Sequence, residues 1–131
     1  MEMNLFSKSE RLCSRKAIEA LFAGNAKSFS AFPLRVVFLP LDQAGEVPAS
    51  VMISVSKKRF KRAVKRNRVK RQVREAYRKN KHELWQILTA KQQGLHIAFI
   101  YQDKELHPSA EIESKVSYLL RRIVNHLQQE S

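Results

Sequence analysis

The stretch "KKRFKRAVKRNRVKRQVREAYRKNK", Lys57 to Lys81, holds fourteen Lys or Arg among twenty-five residues and a single acid, Glu75. Read at about 100° per residue, Val69, Val73 and Ala76 form one apolar stripe, with Tyr77 somewhat rotated from it. On the opposite side Asn67, Arg71, Arg74 and Arg78 fall within roughly 60° of one another, flanked by Arg68 and Lys70. A disordered basic tail would not keep charged and apolar residues apart at helical period. The stretch therefore predicts an amphipathic helix, docked through Val and Ala and displaying a stiff row of guanidinium groups.

From Asn67 to Arg78 the row covers roughly 16 Å at 1.5 Å rise per residue, enough to track several phosphates of a folded polynucleotide. Arg outnumbers Lys along it, which suits bidentate phosphate contacts. Phe60 and Val64 project from roughly the other side to Val69 and Val73. Either the helix begins after about Arg62 and Val64 packs elsewhere, or the segment Lys57 to Arg66 bends. The expected arrangement is a loop or bent lead-in that carries Lys57, Lys58, Arg59, Lys61 and Arg62 onto the same surface as the row.

The formal net charge is +13, and the quoted stretch alone supplies it, because the rest of the chain carries eleven basic and eleven acidic residues. A run of charge on a helix is usually a solvated face. Here there are almost no acids to form i,i+4 pairs, and like charges at that spacing repel, so something anionic must compensate. One concentrated basic element on an otherwise neutral chain points to a polyanion, either nucleic acid or an anionic membrane surface. Membrane binding is the weaker of the two, since the side opposite the charges lacks exposed Trp or Phe anchors.

A length of 131 residues and an apolar content of 44% fit a globular chain with one hydrophobic core, read as a single domain over 1–131. Cys13 is the only cysteine, and no Cys and His pattern has zinc spacing. The N-terminal "MEMNLFSKSERLCSRK" lacks the apolar core of a secretory signal, and runs such as "VVFLPL" are too short to span a bilayer. These features together predict a cytoplasmic protein with no membrane association.

Along the chain, Ser14 can cap a short helix in which Ile18, Leu21 and Phe22 share a face, with Gly24 as a left-handed stop. A strand follows near Leu34 to Leu39, then the turn "DQAGEV". In "PASVMISVS", Val51, Ile53 and Val55 alternate with Ser50, Met52 and Ser54, the pattern of a half-buried strand. After the basic helix, "HELWQILTAKQQG" reads as a loop carrying at most a helical turn, and His96 to Tyr101 as a short apolar strand. Ile112, Val116, Leu119, Leu120, Ile123 and Leu127 stripe a last helix from about Ser109, with Glu111 and Glu113 in its first turn. This order predicts an α+β sandwich: a central mixed sheet of three to four strands packed by helices, with a βαβ crossover through the basic helix.

The residues "ISVSKK", Ile53 to Lys58, followed by "AVKRNRVKRQVREAY", Ala63 to Tyr77, resemble the protein subunit of bacterial ribonuclease P. Arg66, Asn67 and Arg68 match the Arg-Asn-Arg core of its signature, and the match continues through Lys70, Arg71 and Arg74. The resemblance extends more loosely to "ERLCSRKAIEALFAGNAKSF" and to the element order of the whole chain. It implies an α/β sandwich whose βαβ crossover is left-handed, against the general rule. It also implies a ribonucleoprotein that removes the 5′ leader of precursor tRNA, in which the RNA subunit holds Mg2+ and hydrolyses the phosphodiester bond. On that reading the RNA-binding set includes Lys65 and Arg66 beside the residues named above, and the partners are the catalytic RNA and precursor tRNA, with no obligate protein partner.

The resemblance further implies that the single-stranded leader lies in a cleft between the first helix and the sheet. The matching positions are Ile18 and Phe22 on the helix and Arg35, Val37 or Leu39 on the first strand. The chain departs from the family at Ile18, where an aromatic residue is common, and no Tyr stands at the matching strand position. Core packing competes with the cleft role for Phe22, and Leu21 reads as core.

No catalytic constellation belonging to the protein is visible. His82, His96, His107 and His126 are scattered, Cys13 has no evident base partner, and there is no glycine-rich phosphate loop or paired-carboxylate motif. Two other classes share the basicity. A ribosomal-type RNA-binding protein would not require a single-strand cleft, and a DNA-binding regulator would show a helix-turn-helix or dimerisation element and more base-reading variety on its helix.

Overall fold

The structure, a computed structural model, describes residues 8–129, so the part of the N-terminal signal reading that falls on residues 1–7 lies outside the described residues. A short 3-10 turn at Lys8–Glu10 precedes α1 (Arg15–Leu21), β1 (Lys27–Ala31), β2 (Leu34–Leu41) and β3 (Ala49–Ser54). The basic helix α2 (Ala63–Asn80), α3 (His82–Lys91), β4 (Gly94–Tyr101) and α4 (Ser109–Gln129) follow. The four strands form one mixed sheet in the order β1-β2-β4-β3. β2 is antiparallel to both β1 and β4, whereas β3 runs parallel to β4. Parallel neighbours need a crossover, and α2 with α3 supplies it, giving the α+β architecture expected.

Strand alternation sorts the side chains into two clusters. Leu34, Val36 and Phe38 of β2, Val51 of β3 and Leu95, Ile97 and Phe99 of β4 bury against α2, α3 and α4. On the other face Val37 and Ala98 meet Leu12 and Leu21, with Ile18, Leu39, Met52 and Ile100 packed around them. Among the described residues, the seven-residue α1 and the segment around Leu12 cover that second face. The sheet is therefore thickly covered on one side and thinly on the other.

Val69, Val73, Ala76 and Tyr77 are all buried, which confirms the stripe. Burying one Val is worth about 1.5 to 3 kcal/mol, while one like-charge pair on a helix costs only a few tenths. Docking therefore wins over repulsion, and α2 is held as a helix by the core. It begins at Ala63 after a turn in which Ser56 O accepts the N–H groups of Arg59 (3.1 Å) and Phe60 (3.3 Å). Phe60 sinks into the main core beside Tyr101, their ring centroids 5.8 Å apart. Val64 is 78% exposed and so stays outside the core.

Two elements differ from the sequence reading. Lys27–Ala31 is a strand, though its "KSFSA" offers only Phe29 and Ala31 to the core, because it sits at the sheet edge with little to bury. The segment read as a loop is the ten-residue α3, which buries Leu84, Trp85 and Leu88. It follows α2 with no Gly or Pro between, and Lys81, in right-handed helical geometry, ends one helix and starts the next. Ser14 caps α1 as expected, its Oγ accepting the Ala17 N–H at 3.3 Å, and Gly24 stands just beyond at φ +108°.

Candidate nucleic-acid interface

The exposed side of α2 carries Lys65, Asn67, Arg68 and Arg71, with Lys70, Arg74 and Arg78 partly exposed beside them. Lys57, Lys58, Arg59, Lys61 and Arg62 are exposed in the turn that leads into the helix. These cations are thus solvent-accessible along the lead-in turn and the helix that follows it. Three members of the run have structural work instead. Arg66 Nη1 donates to the carbonyl oxygens of Phe60 at 2.8 Å and Lys61 at 2.9 Å, clasping the turn to the helix. Arg78 pairs with Glu75, which lowers the carboxyl pKa and raises that of the guanidinium. Lys81 is buried, with its Nζ 2.8 Å from Glu10 Oε1 and 4.3 Å from the centre of the Trp85 ring.

The helix start is electrostatically unusual. Arg62 occupies the N-cap position without a side-chain hydrogen bond, and no acid lies in the first turn. Cations there oppose the helix dipole, so the turn and the first helical residues gather positive charge where anions are favoured.

Across the β3 edge lies the thinly covered side of the sheet. Phe22, 48% exposed at the end of α1, lines a hollow of about 130 Å³ with Leu21, Gly24, Ala26, Ser28, Arg35 and Val37. Arg35 and Val37 project to this side because they alternate with Leu34 and Val36 along β2. Phe22, Arg35 and Val37 therefore meet as expected. Ile18 and Leu39 do not line that hollow and pack in the contact between α1 and the sheet. His96 lies on the same side of β4, where burial lowers its pKa by disfavouring the charged ring.

A second hollow of about 340 Å³ at the β3 edge is lined by Arg11, Cys13, Met52, Ile53, Lys70 and Arg74, among others. Sequence reading gives Arg11 no role, since nothing local marks a residue outside the basic run as its neighbour. Its proximity arises because Leu12 N–H donates to Val51 O at 2.9 Å and Arg11 bridges Val51 in parallel. The pKa of Arg74 is lowered chiefly by burial, then by the charges of Arg11 and Arg71.

A family model for Ribonuclease P matches residues 6–124. The chain belongs to the ribonuclease P protein family. It is 46% identical over 121 residues to the ribonuclease P protein component of Porphyromonas gingivalis, covering 92% of this chain and 88% of that protein. The ribonuclease P protein component of Chlorobaculum tepidum is 30% identical over 131 residues, covering 94% and 85%. Among solved structures, the ribonuclease P protein from Thermotoga maritima superposes with a TM-score of 0.67 at 28% identity, covering 86% of this chain and 96% of that one. The ribonuclease P fold thus accounts for the mixed sheet and the helices on it. Among the described residues no group of three or more His, Cys, Asp or Glu is placed to hold a metal ion, and no helix is long and apolar enough to cross a membrane.

Proposed function

We propose that this chain is the protein subunit of a ribonuclease P ribonucleoprotein and supports removal of the 5′ leader from precursor tRNA. The observation that carries the proposal is the pairing of a rigid cationic helix, fixed to the core through Val69, Val73 and Ala76, with an open hollow on the thinly covered sheet face. The exposed side of α2 and its lead-in turn take the phosphates of the catalytic RNA. The cleft at Phe22, Arg35 and Val37, bordered by Ile18, takes the single-stranded leader.

In this reading Mg2+ and the hydrolytic step belong to the RNA, in the cytoplasm. The chain contributes fixed positive charge: guanidinium groups on α2 replace counterions that closely packed phosphates would otherwise require. This lowers the magnesium needed for the RNA to reach its working form. Phe22 offers a ring on which a leader base can stack, and Arg35 offers a donor to its phosphate.

Binding of the full-length protein to transcribed ribonuclease P RNA, titrated over a range of monovalent salt, tests the proposal. Tight binding with a steep negative slope of log affinity against log salt is expected. Affinity no greater than for an unrelated folded RNA of the same length would overturn it.

A further inference from the structure

The flank where α4 meets β1 carries residues that the proposed function leaves unused. β1 lies at the opposite edge of the sheet from β3, and α4 packs over it in the same layer of helices as α2. Along α4, Glu111, Lys115, Tyr118 and Arg122 recur at i, i+4, i+7 and i+11, so they share one side over roughly 16 Å. Two contacts hold the β1–β2 hairpin beside that side. The Phe32 ring stands edge-on to His107 with centroids 6.1 Å apart, and His107 is itself bonded to Glu111. Further along, the Arg122 guanidinium lies over Phe29, 4.2 Å from the ring centre, and Nη1 donates to Tyr118 Oη at 3.2 Å.

Phe32 is 60% exposed and Tyr118 48%, so two aromatic rings stand in solvent on one flank. Lys115 and Arg122 accompany them, with Arg121 one position further round the helix and Lys27 on the same side of β1 as Phe29. Among the described residues none of these four cations forms an ion pair, while Glu111, the acid of the strip, is taken by His107. No large aliphatic side chain is exposed beside the rings among the described residues. Exposed rings interleaved with such cations suit unpaired bases, which stack on the rings while their phosphates meet the charges. A second copy of the chain, itself at +13, would be repelled.

We propose that Phe32, Tyr118 and Arg122, with Lys115, form a second RNA-contacting surface that stacks unpaired bases of the catalytic RNA subunit. The cleft under α1 lies on the other face of the sheet, whereas α4 shares its layer with α2. The RNA seated on α2, rather than the substrate, is therefore what this flank meets. The inference rests on the subunit reading and adds to it a contact remote from both the basic helix row and the cleft.

The test is binding of the full-length protein to transcribed ribonuclease P RNA, without tRNA, across a salt series. Phe32→Ala and Tyr118→Ala each lower affinity at least about fivefold, the loss of one stacked base. Tyr118→Phe keeps the affinity and Tyr118→Leu does not, which separates stacking from apolar cover. Lys115→Ala lowers the steepness of log affinity against log salt by about 0.7, one single-strand phosphate contact. Tyr118→Ala combined with Arg68→Ala multiplies the two separate losses, as expected of remote sites, and an unchanged thermal midpoint shows that Tyr118→Ala is folded. Wild-type RNA affinity in both Phe32→Ala and Tyr118→Ala overturns the flank while tight binding by the wild type leaves the subunit reading intact. So does a loss that appears only once precursor tRNA is added, or one seen for poly-glutamate and not for the RNA, which would give the flank to an acidic protein instead. Wild-type affinity no greater than for an unrelated folded RNA overturns both.

Discussion

The Lys81 ammonium lies 2.8 Å from the Glu10 carboxylate, and both side chains are buried. In the sequence Lys81 looks like the last member of the basic run, yet it faces inward and joins the N-terminal segment to the junction of α2 and α3. Trp85 covers its ammonium and donates its Nε1–H to Tyr77 Oη at 3.0 Å, closing the site from water. Removing one partner of such a pair strands the other charge in the core, at a cost of about 3 to 5 kcal/mol. Lys81→Met is therefore expected to lower the urea midpoint by that equivalent, and adding Glu10→Gln to restore part of it. Equal stability of Lys81→Met and wild type would contradict the buried pairing.

The Arg-Asn-Arg signature divides by task. Arg68 and Arg71 face solvent, so alanine at either position is expected to weaken RNA affinity and reduce the salt slope by about one phosphate contact, with stability within about 0.5 kcal/mol of wild type. Arg66→Ala loses the two hydrogen bonds that hold the lead-in turn. Faster amide exchange over residues 57–62 distinguishes it from the other two. Identical exchange in all three variants would show that the clasp at Arg66 does not order the turn.

Phe22 is half exposed beside Arg35 and Val37, so stacking and core packing make different forecasts. If a leader base stacks there, Phe22→Ala weakens precursor tRNA binding by about 1 to 3 kcal/mol and leaves mature tRNA nearly unaffected. Equal losses for the two substrates, measured with the assembled ribonucleoprotein, would remove Phe22 from the leader path.

His107 is bracketed by two carboxylates, with Nε2 2.7 Å from Asp103 Oδ2 and Nδ1 2.7 Å from Glu111 Oε2. Two acceptors require two N–H donors, which favours the imidazolium and raises the His107 pKa, with Asp103 as the larger cause. A raised histidine pKa contributes stability that is complete below the ordinary value of about 6.5 and is lost as pH climbs through the folded one. The Asp103 carboxyl is held low by the same contact. Its share is present above the ordinary value of about 3.9 and is lost as pH falls through the lowered one. Gln72 of α2 donates Nε2–H to His107 O and to Ser109 Oγ, both at 3.0 Å, so this loop also braces the basic helix. Thermal midpoints should decline as pH rises above about 6.5 through the raised His107 value, and His107→Ala should flatten that decline. A wild-type profile that matches His107→Ala over this range would contradict the assignment.

The basic helix and its docking stripe were legible because charge and apolar residues repeat at one local period. So were the cap at Ser14, the alternation of β3 and the stripe of α4. Strand β1 was not, because an edge strand with one buried face needs few apolar residues, and "KSFSA" carries no more than it needs. Helix α3 was hidden by the absence of any break after Asn80: its helical period is short, and its start is set by where Lys81 turns inward. At the interface, local pattern places Arg68 and Arg71 correctly on the surface. It cannot show that Arg66 clasps a turn, that Lys81 is buried against a residue 71 positions away, or that Arg11 arrives beside Arg74. Those depend on which strand lies at the sheet edge, and strand order is a property of the whole chain.

Cleavage of a leader-bearing precursor tRNA by the cognate ribonuclease P RNA at limiting magnesium, with and without this protein, tests the central claim most directly. The expected result is accurate cleavage restored by the protein, with none from the protein alone. No effect on cleavage, while another bacterial ribonuclease P protein activates the same RNA, would contradict the proposed subunit role and leave the basic surface as an RNA-binding feature of a different assembly.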